Sequence, residues 1–328
     1  MTLLSVRDLT VSYPVRGPLA GWWTGQKRFL DVVCGISLDL AEGTTLAIAG
    51  ESGSGKSTFA RALMGLTPFR SGSLVFDGKA PFPAGGRPAR AYLGQVSMMF
   101  QDPVASLSPR RTIGALITEP FRIHRPGLRN LETEAKRLLA LVGLPADFAQ
   151  RYPHQISGGQ ARRVGLARAV ALNPRLVIAD EPTAGLDVSI QGEILNLMAR
   201  LQAEQGVAFL MITHNLAVVR HMSDRTGIMY MGRIVEEGPT DRVFASPAHP
   251  YAAALIAAEP SSLPGHHRHS AALKGEVSSL LHRPDGCAFH PRCPAARPLC
   301  SATAPLPQVS ASGALVSCHF PLQGNPDR

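Results

Sequence analysis

Apolar and polar positions alternate from Leu3 to Ser12 with the two-residue period of a half-buried strand. Pro14 to Lys27, rich in Gly and Pro, predicts a loop that carries Trp22 and Trp23. Cys34 to Leu40 and Thr44 to Ala49 predict two further strands, the second running into a glycine-rich turn, and Ser57 to Leu66 predicts a helix. Arg70 to Arg90 predicts a hairpin followed by a Pro/Gly loop. Thr112 to Val142 predicts mostly helix, broken at Pro120 and Pro126. Gln160 to Leu172 predicts a basic helix opened by a serine and two glycines. Leu176 to Ala179 and Val207 to Ile212 are apolar without alternation and lie between helices, as expected of a sheet buried on both faces. Ile228 to Glu236 predicts a hairpin turning at Met231-Gly232. The pattern is α/β with a mixed or parallel core sheet.

Composition narrows the class. The chain has 328 residues, 45% hydrophobic and 17% charged, which fits a folded protein of one large domain plus an appendage. No apolar run approaches the roughly 20 residues of a membrane helix, and the opening Met1 to Asp8 reads as no signal peptide, so a cytosolic chain is expected. The net charge of +9 suits anionic ligands, but the basic residues are scattered and not interleaved with aromatics, so no nucleic-acid partner is expected. Near Pro260 the composition turns polar, and Ser261 to Asp285, with His266, His267 and His269, reads as a solvated linker.

Five places along the chain carry chemistry. Gly50-Glu51-Ser52-Gly53-Ser54-Gly55-Lys56-Ser57 fits G-x-x-x-x-G-K-[ST] between a strand and a helix, where backbone N–H groups face phosphates, Lys56 neutralises the β and γ oxygens and Ser57 ligates Mg²⁺. Asp180 and Glu181 close the strand that starts at Leu176, where ligands of parallel sheets collect; Asp180 suits the Mg²⁺ shell and Glu181 an attacking water. His214 follows the next strand with a ring able to hold a γ-phosphate oxygen, and Gln101, in a loop, suits Mg²⁺ or the water. Ser157-Gly158-Gly159-Gln160 presents a second helix end to an anion.

In this order these motifs resemble the ATP-binding cassette (ABC) ATPases over roughly Leu3 to Glu259. The resemblance implies a P-loop NTPase cassette with an antiparallel β subdomain and a helical subdomain at about 102–170, within an ATPase domain 1–259. It implies ATP contacts from Tyr13 and from Gly50, Glu51, Ser52, Gly53, Ser54, Gly55, Lys56, Ser57 and Thr58, with Tyr13 stacked on adenine. Mg²⁺ would be held by Ser57, Gln101 and Asp180, and hydrolysis served by Glu181, His214 and Gln101. Ser157, Gly158, Gly159 and Gln160 would face the ATP of a second ABC ATPase subunit, with Asp187 at the dimer seam. Ile156, Ala161 and Ala184-Gly185 depart from the family's usual residues without removing a catalytic group.

The tail adds a narrower resemblance. His249-Pro250-Tyr251, the run Gly286 to Pro294, Cys300 and Cys318, with Met99 to Pro109, resemble the ATPase subunits of dipeptide and oligopeptide importers. This implies a Cys-rich extension at 286–328 after a linker at 260–285, two membrane permease subunits, an external substrate-binding protein, and a peripheral location on the cytoplasmic face of the membrane. Cargo expectations are di- and oligopeptides, with nickel chelates, glutathione or other small solutes as the alternative. A soluble, non-transport ABC regulator is the expectation from another class. Cys287, Cys293, Cys300 and Cys318 are separated by five, six and seventeen residues, unlike paired zinc-site spacing. The resemblance implies a [4Fe–4S] cluster there; Zn²⁺, with His290 or His319 as substitute ligands, and metal-free reduced thiols are the alternatives.

Overall fold

The computed structural model describes residues 1–15, 28–83, 86–259 and 279–323. Most of the early loop with Trp22-Trp23, and the linker with its histidine cluster as far as residue 278, lie outside the described residues. The strands are β1 (Thr2–Val15), β2 (Arg28–Ala41), β3 (Thr45–Ala49), β4 (Ser71–Phe76), β5 (Val96–Met99), β6 (Leu176–Asp180), β7 (Ala208–Thr213), β8 (Arg225–Tyr230), β9 (Arg233–Pro239), β10 (Gln308–Val309) and β11 (Leu315–Val316). Two compact units emerge, one comprising Met1–Leu4, Asp39–Thr45 and Val75–Ile212, the other Ser5–Leu38, Leu46–Leu74 and Thr213–Arg328.

In the first unit β5, β6 and β7 run parallel, with Val96 opposite Leu176 and Leu176 opposite Ala208. Every residue of β6 and β7 is buried, which explains why these strands carry no alternation. The helix Leu131–Leu141 is amphipathic: Ala135, Leu138 and Leu139 are buried, Asn130 caps its start, and Glu132 pairs with Lys136 one turn on. The short helix Ile113–Ile117 packs on it and on the helix Gly158–Val170. Pro120 marks a break, as expected: the helix Ile113–Ile117 ends at Thr118 before it. It lies in the first turn of Glu119–His124, where its missing N–H leaves no gap, and the chain bends at Thr118 before it.

In the second unit a three-stranded sheet has the order β2-β1-β4. Along β1 the buried positions change phase, from Leu4 and Val6 to Leu9 and Val11, because Asp8 takes a left-handed φ of 50°. The hairpin expected over Arg70 to Arg90 is one bridge, Phe76 to Lys79, and β4 instead takes its place beside β1. Pro81 and Pro83 follow, and neither can donate to a ladder.

This unit also holds a mixed sheet ordered β10-β11-β9-β8-β3. β3 and β8 are parallel; β8, β9 and β11 pair antiparallel. The β8–β9 turn is at Met231-Gly232, with φ values of 42° and 85° that suit a tight primed turn. A side chain at Gly232 would also meet the Val32 carbonyl oxygen at 2.4 Å. The C-terminal segment therefore extends the sheet: Leu315 pairs with Glu237 and Val316 with Glu236.

Candidate functional site

The phosphate-loop sequence forms the expected strand–loop–helix. β3 leads into it, and the helix Lys56–Leu63 leaves from Gly55, whose left-handed φ of 103° no side chain caps. Glycine is required on space as well: a Cβ at Gly50 would sit 2.2 Å from the Met229 carbonyl oxygen, and one at Gly55 2.7 Å from that of Val32. Lys56 is buried and its Nζ donates to the carbonyls of Gly50 and Glu51, each at 2.8 Å. Tyr13 lies exposed on β1 in the same unit. His214, just after β7, is exposed, and Asn215 beside it caps the helix Leu216–Met222.

Glu51 is anchored from the C-terminal segment. Arg292 donates to both of its carboxylate oxygens at 2.8 and 3.0 Å, and the Glu51 N–H donates to Tyr251 Oη at 3.0 Å. Tyr230, Tyr251 and Phe289 pack under this pair with ring centroids 4.6 to 5.3 Å apart.

The first unit gathers the other candidates. Ser157 is the N-cap of Gly158–Val170: its Oγ accepts from Gln160 N at 3.3 Å, and Gln160 Oε1 accepts from Ser157 N at 2.9 Å. Gly159 is buried against Ile190, where a Cβ would lie 2.8 Å from Ile190 Cγ2. Asp180 and Glu181 are buried at the end of β6. Glu181 adopts φ 49°, a left-handed conformation uncommon outside glycine. Its N–H donates to the Ile212 carbonyl at 2.8 Å. Asp187 is exposed at the start of the helix Val188–Gln205. Gln101 is exposed just beyond β5.

Arg162 ties this group together and was not legible as more than a basic helical residue. It is buried, and its guanidinium donates to the carbonyls of Glu181 (3.1 Å) and Ala184 (2.9 Å). Burial lowers its pKa, while the charges of Asp102 and Glu181 oppose that shift. Farther along the same helix, Arg168 donates to Glu119 at 2.7 Å and to the Ser106 carbonyl at 3.2 Å, and Arg111 pairs with Glu119 as well. The loop after Gln101 is thereby fastened to the helix that Ser157 opens.

Cys287, Cys293, Cys300 and Cys318 line one small cavity of the second unit, together with His249. All are free thiols. Burial, and the proximity of the other cysteines, raises the pKa of Cys287, Cys293 and Cys318, the last to about 11. Among the described residues no group of three or more His, Cys, Asp or Glu side chains stands arranged to hold a metal ion. His290 Nδ1 meets the Cys287 carbonyl and His319 Nε2 that of Thr303, so one nitrogen of each proposed substitute ligand is engaged. Burial pushes the His249 pKa down to about 3, so the ring is neutral. Its Nδ1 accepts from Tyr251 N at 3.0 Å, which leaves the proton on Nε2, a buried donor without a hydrogen-bond partner among the described residues.

Comparison with known proteins decides the family. Residues 33–184 match the family model described as ABC transporter, and residues 235–300 match the one described as oligopeptide/dipeptide transporter, C-terminal region. The chain is 43% identical over 320 residues to the oligopeptide transport ATP-binding protein OppF of Salmonella typhimurium, covering 96% of this chain and 95% of that protein. It belongs to the ABC transporter ATP-binding proteins. Another relative is the di/tripeptide transport ATP-binding protein DppF of Pseudomonas aeruginosa, 44% identical over 93% of each chain. The dimeric structure of a bacterial ABC transporter cassette aligns with a TM-score of 0.62 and 25% identity over 73% of this chain and 99% of that one. The fold is thus the ABC cassette, with its mixed sheet, second sheet and helices. Among the described residues of this ABC protein no helix is long and apolar enough to cross a membrane.

Proposed function

We propose that this ABC protein is the ATP-hydrolysing subunit of a membrane importer of di- and oligopeptides. The observation that carries this reading is the near full-length identity to peptide-transport ATP-binding proteins, 96% of this chain in one case and 93% in another. Residues 1–259 act as the ATPase domain, with 102–170 its helical subdomain, and 286–328 as the extension after a linker at 260–285. Two such subunits, alike or different, close on two ATP molecules and work on two permease subunits that receive solute from a binding protein. The subunit sits peripherally on the cytoplasmic face through its permease.

The roles follow from the chemistry of the residues. The backbone of Gly50 to Ser57 and Thr58 holds the phosphates, and Lys56 turns from its own loop carbonyls to the β and γ oxygens. Ser57, Gln101 and Asp180 carry oxygen donors of the kind that suit Mg²⁺ and would hold it, and the ion would neutralise charge on the phosphates. Glu181 takes the proton of the attacking water, His214 orients the γ-phosphate, and Tyr13 stacks on the base. Ser157 to Gln160 face the partner's nucleotide across a seam that includes Asp187.

The experiment is Glu181→Gln, examined with the two permease subunits co-expressed. Co-purification of the permeases, with ATP retained and turnover reduced at least 100-fold, is the expected result. Normal turnover would overturn the role of Glu181, and repeated failure to recover permeases would overturn the transporter reading.

We further propose that Cys287, Cys293, Cys300 and Cys318 hold a metal group, an iron–sulfur cluster ahead of zinc. Supporting this are four thiols on one cavity wall and the buried His249 donor beside them, which suits an anionic sulfur. Such a group would cross-link the extension and so stabilise its fold. Anaerobic purification followed by iron, sulfide and zinc analysis tests it; stoichiometric zinc excludes the cluster, and absence of both metals leaves reduced thiols.

A further inference from the structure

Glu51 is an anomaly in a loop built to receive a triphosphate. It is the loop's second residue, its own carbonyl already takes Lys56 Nζ at 2.8 Å, and its carboxylate would repel phosphate if left unpaired. The residue that answers it lies 241 positions away. Arg292 is almost fully buried, 8% exposed, between two of the cavity's cysteines in sequence, and it grips both carboxylate oxygens in the bidentate geometry that arginine favours. Its guanidinium also stands 5.9 Å from the Tyr230 ring centroid, on the aromatic cluster that includes Tyr251, whose hydroxyl accepts from Glu51 N–H. The first turn of the loop is therefore held through its side chain and its backbone by the C-terminal part of the chain.

We propose that Arg292 is a positioning residue of the nucleotide site, which acts by neutralising Glu51 so that its carboxylate does not oppose the triphosphate. The assignment rests on the reading of Gly50 to Ser57 as the ATP site. It gives the C-terminal extension a role in nucleotide affinity, distinct from any metal the cysteines hold.

The sign of the effect separates this role from packing. Removing Arg292 alone leaves an unpaired carboxylate near the phosphates, whereas removing both charges leaves neither attraction nor repulsion. The test is equilibrium binding of trinitrophenyl-ATP to the full-length chain at low and high salt. Arg292→Gln is expected to weaken binding at least tenfold, more at low salt than at high salt. The double variant Glu51→Gln with Arg292→Gln is expected to return to within about threefold of wild type. Glu51→Gln alone leaves the Arg292 charge unopposed beside the loop and serves if Arg292→Gln does not fold; it is expected to bind at least threefold more tightly than wild type at low salt. The proposal is overturned if Arg292→Gln loses less than tenfold at low salt, if the double variant is as weak as Arg292→Gln, or if Glu51→Gln alone binds no more tightly than wild type at low salt. An unmodified chain that does not bind the nucleotide removes the ATP-site reading, and this assignment with it.

Discussion

Substituting Arg162 by methionine keeps the apolar stem and deletes the two hydrogen bonds to the Glu181 and Ala184 carbonyls. A bond to a charged group contributes roughly 1.5–3 kcal/mol, so the pair contributes about 3–6 kcal/mol before offsets. Relief of the guanidinium's burial, visible in its lowered pKa, returns part of that. A net loss of about 3 kcal/mol follows, or ~6 °C in Tm at roughly 2 °C per kcal/mol for a chain of this size. The kinetic consequence is larger than the stability loss suggests. Glu181 is held at φ 49° by its N–H to Ile212 on one side and by Arg162 on its carbonyl. A left-handed non-glycine residue costs on the order of 1–3 kcal/mol and relaxes when its restraints are cut. Displacing a reacting group by about 1 Å lowers rates by as much as ~100-fold, so kcat for ATP should fall at least tenfold. The KM for ATP should stay within about threefold, because the phosphate loop is unaltered. Thermal unfolding and steady-state ATPase assays on the same preparation measure both. Unchanged Tm and kcat in Arg162→Met would refute the reasoning at its base, and a lowered Tm with unchanged kcat would show that Glu181 is positioned by other contacts.

Two further outcomes follow from the packing and the charges. Gly159→Ala should destabilise by about 1–3 kcal/mol through its clash with Ile190, and pairing it with Ile190→Ala should recover part of that in denaturant unfolding; equal instability of the two would point to the helix start instead. Glu236 is fully buried, accepts from Ala248 N and His249 N, and has its pKa raised above 4.5 by burial. The folded state then holds the proton more tightly than the unfolded one. This contribution is therefore complete below about pH 4.5 and is lost as pH rises through the raised value. Urea unfolding of wild type minus Glu236→Gln across pH 4 to 8 should slope downward, and a flat difference would count against it.

Local pattern carried much of this fold. The runs in β6 and β7 are apolar on both faces because both faces are covered, and Met231-Gly232 reverses the chain because both residues take positive φ. Where a residue's meaning depended on a distant partner, local pattern failed. Thr112 to Val142 was legible as helical with a break at Pro120, but only the bend at Thr118 shows that Pro120 also opens the next helix. The stretch after β4 read as a hairpin because its turn residues are right, while β1 competed for the strand. Each motif of the candidate site stood out by spacing. Arg162 and Arg292 did not, because a buried arginine and a solvated one look alike in sequence until the carbonyls or carboxylate they meet are known.

The bond between Arg292 and Glu51 also orders events in time. A chain is made from its N-terminus, so the phosphate loop leaves the ribosome long before Arg292 and Phe289 exist. A nascent or prematurely ended cassette has the loop without its clamp. By the proposed coupling, full affinity for nucleotide is acquired only after Arg292 has been made, and a chain cut short of it binds nucleotide more weakly.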